Sequence, residues 1–500
     1  MSFTINNLKN LHVIQVHNPS LEFNYQVEDD LTSGRISRKN RINHLGLKVV
    51  LVVFSGLSFG ISFESECGFP LALFALVTLI SLVYRATVFQ AWVFMLAFHL
   101  IAYAWAWNFL AIASDWLPYG LLVILESLIM SFAGLVYKIL PNNFLTFPTV
   151  YVAFEYLRCV VPYGGFAFGR VAWSVSYSAF GFFGGLLGPI FVSWIILVFA
   201  QLFWPLSWLK ILSMIIIVAS AMALWGNKIY LSNNDIEKDQ SFVRVAVIQG
   251  NIKAMKFGAE VDMHEVFTNH LSATKKLLGS SMNSNVDLII WPENALEYDL
   301  WNPQNQEIVN QLANLSQEYH APLLVGSQVF YADHRYNRYA LIDASGLTEV
   351  YYDKLTPVPF GEYIPNRAFF RLFSPLVDQV TLDMWPGERP GILEVPLNSG
   401  RGIQLGILIC FEITQDWLVE DIVNRGAQAI ISPTNNVFFG HSSLAFQQFT
   451  IARFRAIQTN RDLIQASTMG ISAGVKPDGE VFNQTDLYVS TGFIYDLALN

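Results

Sequence analysis

The sequence predicts a multi-span α-helical membrane domain followed by an exported α/β domain, and three observations carry that expectation. Of 500 residues, 53% are hydrophobic and only 14% charged, a balance outside the range of an ordinary soluble domain. The apolar excess lies before about residue 232, in successive runs long enough to cross a hydrocarbon core, which takes roughly 20 helical residues. Beyond that point short β-branched runs alternate with amphipathic stretches, the pattern of a layered α/β domain.

In chain order, residues 1–45 read as a flexible, polar cytoplasmic tail, and lacking an apolar core they are not a signal peptide. Seven apolar runs follow, at 46–63, 70–84, 88–113, 117–140, 144–161, 180–203 and 208–231. The fifth contains Glu155 and Arg158. Three residues apart, they share one helix face, where they either neutralise each other or meet a lipid headgroup. Arg35, Arg38, Lys39 and Arg41 precede the first run, and Arg85, Lys138 and Lys210 fall in alternate connections; Glu64, Glu66 and Asp115 lie in the opposite ones. The positive-inside rule then places the N-terminus in the cytoplasm and everything after about residue 232 outside, with Arg158 and Arg170 counting against it. The expected organisation is a tail over 1–45, about seven transmembrane helices over 46–231 and an exported α/β domain over 232–500.

Within the exported part, strands are expected at 243–249, 287–291, 322–329, 337–343, 347–353, 403–410 and 428–432. Helices are expected up to about 278 and at 304–319, 415–425 and 443–459. Cys67 and Cys159 lie in or beside spans, so Cys410 has no disulfide partner in its own half and is either buried or chemically used. A net charge of −9 without a basic stripe argues against a nucleic-acid partner. No phosphate-cradling loop or metal-ligand cluster is present in the sequence, so neither cofactor nor metal is expected.

Cys410 ends the apolar run Gly406-Ile407-Leu408-Ile409-Cys410-Phe411-Glu412. A thiol needs a base to become a thiolate, and acyl transfer needs a cation or donor where the oxyanion develops. Ile289-Ile290-Trp291-Pro292-Glu293 places a carboxylate just past a strand, Tyr351-Tyr352-Asp353-Lys354 an amine, and Pro359-Phe360-Gly361-Glu362-Tyr363 a second carboxylate. The plainer readings are a helix-capping Glu293, a solvated Lys354, and structural pairing of Glu362 and Glu412.

Glu, Lys and Cys in this order, each at a strand end, resemble the carbon–nitrogen hydrolase (nitrilase) superfamily. Joined to a multi-span front half, they resemble the apolipoprotein N-acyltransferase family. Further resemblance lies in Pro292-Glu293-Asn294-Ala295, Val358-Pro359-Phe360-Gly361-Glu362-Tyr363-Ile364-Pro365, Cys410-Phe411-Glu412-Ile413, and Thr434-Asn435-Asn436-Val437-Phe438-Phe439-Gly440. In the front half it lies in Phe154-Glu155-Tyr156-Leu157-Arg158 and Gly165-Phe166-Ala167-Phe168-Gly169.

The resemblance implies an αββα sandwich in a multi-pass protein of the bacterial inner membrane, with a periplasmic catalytic domain. It implies that Cys410 takes an acyl chain from a phospholipid as a thioester and passes it to the N-terminal amine of a diacylglyceryl-cysteine apolipoprotein. Glu293 would be the proton acceptor and Lys354 the oxyanion stabiliser, with the Phe411 amide. Glu362, Glu412 and Asn435 would support them. Another amine acceptor and a membrane-anchored amidase remain alternatives. A lid over the site is expected from the aromatic, Pro- and Gly-rich segments 294–303 and 361–386.

The chain also departs from the family pattern. Phe411 stands where Tyr is usual, Lys256-Phe257 where Lys-Trp is usual, and Asn436 where an Asp is usual. The Pro-Trp pair is missing from 163–170, and 488–499 does not read as the family's closing span.

Overall fold

The computed structural model describes residues 30–83, 87–110, 117–141, 143–203, 207–235, 241–252, 262–279 and 285–500. Lys256 and Phe257 lie outside them. Met1–Val49 forms one compact unit and Val50–Asn500 another. Helix α1 (Asp30–Ile61) starts inside the stretch expected as a tail. No proline interrupts residues 30–45, so a helix nucleated in the apolar run propagates into its polar flank at one hydrogen bond per residue.

The apolar half continues with α2 (Phe69–Thr78), α3 (Val88–Ala102), α4 (Ala104–Leu110), α5 (Leu117–Ile139), α6 (Thr146–Val160), α7 (Gly184–Leu202) and α8 (Trp208–Asp235). Every expected run contains helix, but among the described residues four segments are long and apolar enough to cross a membrane: Gly46–Glu64, Leu117–Ile139, Ala179–Leu202 and Trp208–Tyr230. The other three fall short for local reasons. Helix α2 gives way to a π turn at Leu79–Val83. The run at 88–113 breaks at Tyr103 into α3 and α4. Helix α6 is 15 residues long and stops just before Pro162, which cannot donate to a continuing helix. Between α6 and α7 the chain makes two buried 3₁₀ turns, Val171–Val175 and Ala179–Phe183.

The α/β part runs β1 (Phe242–Gln249), α9 (Met263–Leu278), β2 (Leu288–Ile290), α10 (Gln306–Tyr319), β3 (Leu323–Phe330), β4 (Arg335–Asp343), β5 (Gly346–Asp353), α11 (Arg367–Phe370), β6 (Ile392–Pro396), β7 (Gly402–Ile407), α12 (Asp416–Asn424), β8 (Ala429–Thr434), α13 (Leu444–Thr459), β9 (Leu463–Ser467), β10 (Ala473–Val475), β11 (Val481–Phe482) and β12 (Thr491–Ala498). Two six-stranded sheets form, ordered β12-β1-β2-β3-β4-β5 and β11-β10-β9-β8-β7-β6. In each, three central strands are parallel (β1, β2, β3 and β7, β8, β9) and the flanking strands antiparallel. The residues at 488–499, which do not read as a span, supply β12, paired along the whole of β1.

Side-chain alternation, with its period of two, sorts each strand between layers. Val245, Val247, Leu288, Ile290, Leu405, Ile407, Ala429 and Ile431 pack between the two sheets. Ala246, Ile248, Ile289 and Val325 face α9 and α10 through Phe267, Leu312 and Leu315. On the far side Leu408, Ile430 and Leu463 join Leu418 of α12 and Phe449, Ala452 and Phe454 of α13. That last cluster runs on without a break into Phe94, Phe98, Phe168, Trp173 and Phe199 of the apolar half. The helical layer over the second sheet is therefore sandwiched between that sheet and the membrane-type helices.

Candidate active site

Glu293, Lys354 and Cys410 follow the C-terminal ends of β2, β5 and β7, so both sheets aim their residues at one end of the sandwich. The loop carrying Glu293 is fixed by the Tyr339 hydroxyl, which donates to Trp291 O at 2.8 Å, and by the Thr468 hydroxyl, which donates to Glu293 O at 3.1 Å. It lies directly on β3, where a Cβ at Gly326 would come within 2.5 Å of Pro292 O and 2.7 Å of Glu293 Cα. Only glycine admits that approach.

Lys354 is 1% exposed. Its ammonium lies 2.7 Å from Glu362 Oε1 and 3.4 Å from Glu293 Oε1. The same Glu293 oxygen accepts from Asn337 Nδ2 at 2.7 Å, and the Glu293 charge acts on the Cys410 thiol. Gln448 of α13 places Nε2 3.6 Å from Cys410 Sγ. Burial works against the lysine's charge, but Glu362 and then Glu293 outweigh it and hold the amine above its ordinary pKa. Burial raises Glu293, against the pull of Lys354. Burial, with Glu293 next, pushes the Cys410 thiol up to about 12, again opposed by Lys354. At neutral pH the resting sulfur is thus a thiol, and Glu293 is the carboxylate that acts on it most strongly.

Cys410 itself has φ +53°, the left-handed region that non-glycine residues adopt at a cost. This bend turns the chain out of β7 into the 3₁₀ turn Cys410–Thr414. Glu412, fully buried, holds the bend. It accepts from Ile409 N (2.8 Å), Leu355 N (2.7 Å), Thr356 N (3.1 Å) and the Tyr352 hydroxyl (2.9 Å). One carboxylate thereby ties the cysteine turn to the backbone just after Lys354. Burial raises its pKa to about 7 against the pull of Lys354 and these donors.

The structure brings Glu293, Lys354, Glu362 and Cys410 into one cluster and puts Glu412 behind it, on backbone rather than on the ammonium. The Phe411 amide lies one residue before the turn's first hydrogen bond, Glu412 N–H to Ile409 O at 3.1 Å, so its donor has no intrahelical acceptor. Asn435 is placed differently from the supporting position expected of it: Oδ1 accepts from Val437 N at 3.0 Å and shapes the turn after β8. The buried neighbour Asn436 reaches Gln448 Oε1 at 2.9 Å. Gln448 and Asn337 were missed by sequence reasoning. Gln448 had no distinguishing signal among the other polar residues of α13, such as Arg453, Arg455 and Gln458, and Asn337 had none in an ordinary strand.

Beside the cluster opens a cavity of about 370 Å³. Leu355 and Thr356 follow Lys354 along its wall, Tyr363 follows Glu362 and Phe411 follows Cys410; Trp417 and Met384 extend the apolar lining. Tyr163 and Gly164, from the loop after α6, close the side toward the apolar half. Of the two expected lid segments, 361–386 contributes Tyr363, Met384 and Pro386 to this wall, and 294–303 contributes none.

Residues 244–499 match the family model described as carbon-nitrogen hydrolase, and residues 55–202 the one described as apolipoprotein N-acyltransferase N-terminal domain. The chain is 29% identical over 262 residues to an apolipoprotein N-acyltransferase of Mycolicibacterium smegmatis, covering 50% of this chain and 42% of that protein. It is 31% identical over 255 residues to one of Allorhizobium ampelinum, covering 49% and 46%. The chain spans under half the length of these two relatives. A third, from Chlorobaculum tepidum, is 24% identical over 509 residues and covers 90% of both chains. Among solved structures, an amidase of the nitrilase superfamily from Nesterenkonia AN1 is similar at 18% identity and a TM-score of 0.38, over 51% of this chain and 90% of its own.

Proposed function

Because this chain belongs to the carbon–nitrogen hydrolase family, in its apolipoprotein N-acyltransferase branch, we propose that it moves an acyl chain from a membrane phospholipid to the N-terminal amine of a diacylglyceryl-cysteine apolipoprotein, by way of a thioester on Cys410. The observation that carries this reading is the convergence of a thiol, a base and a buried cation beside an apolar cavity walled partly by the membrane-type half. Hydrolysis of a small soluble amide needs no such wall.

In the first half-reaction Glu293 takes the proton from Cys410, and the thiolate attacks the ester carbonyl of the phospholipid. Lys354 and the Phe411 amide stabilise the oxyanion. The carbon–oxygen bond breaks, the lysophospholipid leaves with the proton returned by Glu293, and the acyl chain stays on sulfur. In the second, the incoming ammonium releases one proton to solvent and attacks the thioester as the free amine; Glu293 takes the second proton from nitrogen, the carbon–sulfur bond breaks, and Glu293 returns that proton to the Cys410 sulfur as the amide leaves. A thioester suits this exchange because amines attack it readily while an apolar site excludes water. Glu362 keeps Lys354 charged and in place.

The same proposal covers the setting: a tail over 1–45, a transmembrane domain over 46–231 and a catalytic domain over 232–500, in the bacterial inner membrane with the N-terminus cytoplasmic and the catalytic domain periplasmic. The charge distribution of the connecting segments supports that orientation.

The test is intact-mass measurement of the detergent-solubilised protein after incubation with a phospholipid alone. An acyl-sized increment mapped to Cys410, absent from Cys410→Ala and discharged by a diacylglyceryl-cysteine peptide, is the expected result. A charged enzyme that ignores the peptide would replace the acceptor with another amine. A charged enzyme discharged by water alone would favour the amidase alternative, and no adduct from any phospholipid would end the donor proposal.

A further inference from the structure

We infer that Arg170, outside the α/β part, is a positioning residue for Cys410: it holds the cysteine's turn through Asp416 from the membrane-type side. The inference rests on Cys410 being the nucleophile.

Two fully buried guanidiniums converge on one carboxylate. Arg170 Nη1 lies 3.0 and 2.8 Å from the two oxygens of Asp416, and Arg455 Nη2 lies 2.7 Å from Oδ1. Asp416 opens α12, two residues beyond the turn Cys410–Thr414. Arg455 also donates to Ile413 O at 2.9 Å and Thr414 O at 3.0 Å, the last two carbonyls of that turn. The Thr414 hydroxyl reaches back to Phe411 O at 2.8 Å. The strained bend at Cys410 is therefore gripped from its far end by a pair of arginines, of which Arg170 alone comes from outside the sandwich.

The loop carrying Arg170 is itself anchored in the apolar half. Glu155 and Arg158 of α6 do not pair with each other as their spacing suggested. Glu155 Oε1 accepts from Val171 N at 2.8 Å, with Oε2 3.9 Å from Arg170 Nε. Arg158 pairs with Glu126 of α5 at 3.1 Å and donates to Phe166 O at 2.9 Å and Phe168 O at 2.8 Å. The rings of Phe166 and Phe168 then face Phe411, each with centroids 6.4 Å away. One short loop thus reaches the cysteine's turn twice: at the Phe411 ring by packing and just past its end, at Asp416, by charge. Two arginines, Glu155 and Asp416 balance to zero net charge, which makes the cluster tolerable in burial. A cluster needed only for folding has no reason to end on the turn of a reactive cysteine.

The test uses the full chain in detergent, as wild type, Arg170→Gln, Arg170→Lys and Arg170→Gln/Asp416→Asn. Two rates are measured: Cys410 acylation by phospholipid, and Cys410 alkylation by iodoacetamide across pH, read by peptide mass and needing no substrate. Arg170→Gln is expected to slow both by about ten- to a hundredfold, the cost of an ångström-scale misplacement. Arg170→Lys, which keeps the charge without the guanidinium's fixed planar geometry, should recover part of the loss. Adding Asp416→Asn should slow both rates further, because it also breaks the Arg455–Asp416 pair that Arg170→Gln leaves in place. A folded Arg170→Lys or Arg170→Gln protein with wild-type acylation and alkylation profiles overturns the inference. If Arg170→Gln does not fold, Arg170→Lys at an unchanged melting temperature decides alone. A wild-type protein that alkylates but never acylates refutes the proposed reaction instead, and the alkylation profiles still decide the role of Arg170.

Discussion

Replacing Lys354 by Met removes a buried cation from between two carboxylates while keeping its volume. Two unit charges 3.4 Å apart, the separation of Lys354 and Glu293, interact by about 5 kcal/mol at an effective dielectric of ~20. Losing that attraction moves the Glu293 titration further upward, on top of the rise that burial already imposes. Glu293 then shifts toward its protonated form and becomes a poorer acceptor for the Cys410 proton. The thiol, already at about 12, loses the one nearby charge that lowers it. Both effects have the same sign, so Cys410 reactivity must fall and its rise with pH must move to more alkaline values. The assay is iodoacetamide labelling of Cys410 from pH 6 to pH 10, with acyl-adduct formation measured in parallel and folding checked by size exclusion. A Lys354→Met protein that folds and labels with the wild-type pH profile would refute the electrostatic reasoning, whatever its acyl-transfer rate.

Other consequences are open to measurement. Glu412→Gln keeps the shape but turns one oxygen into a donor facing a donor, losing at least one charge-assisted hydrogen bond, about 1.5–3 kcal/mol; melting temperatures should fall in the order wild type, Gln, Ala. An Ala variant that melts with wild type would show that the four donors on Glu412 do not hold the turns after β5 and β7 together. Gln448→Leu deletes a neutral donor 3.6 Å from sulfur, a contact of about 1 kcal/mol, so acylation should slow by less than about tenfold; a loss of a thousandfold would make Gln448 part of the chemistry. Although burial opposes it, Arg170 and Arg455 hold the Asp416 carboxyl down at about 2. A depressed acid stabilises the fold above its free pKa of about 3.9 and loses that stabilisation as pH falls through 2, about 2–3 kcal/mol in all. Melting temperature between pH 5 and pH 2.5 should therefore drop less steeply in Asp416→Asn than in wild type.

Much of this site was legible before the fold. Glu293, Lys354 and Cys410 each sit just past an apolar run that became a strand, and a strand end delivers a side chain to the edge of a layer whatever its neighbours do. Glu362 was legible by proximity to Lys354 in the chain. Glu412 could be named but not its work, because its partners Leu355, Thr356 and Tyr352 are more than fifty residues away. Asn435 and Asn436 were indistinguishable as neighbours in a polar loop; backbone geometry turned one into its own turn and the other toward Gln448. The seven apolar runs marked helices but not their lengths, since the π turn after α2, the break at Tyr103 and the stop before Pro162 are local events inside apolar composition.

By itself the sequence determined the two-part build, the strand–helix alternation and the three residues at strand ends, because hydrophobic period and run length are local quantities that survive without tertiary context. Tertiary structure alone decided how α13 came to lie between the second sheet and the membrane-type helices, and why Arg170 lies against Asp416, 246 residues further along the chain. Pairings of that range depend on which faces two distant segments bury together. Periodicity sets the face each segment offers, and the packed fold selects its partner.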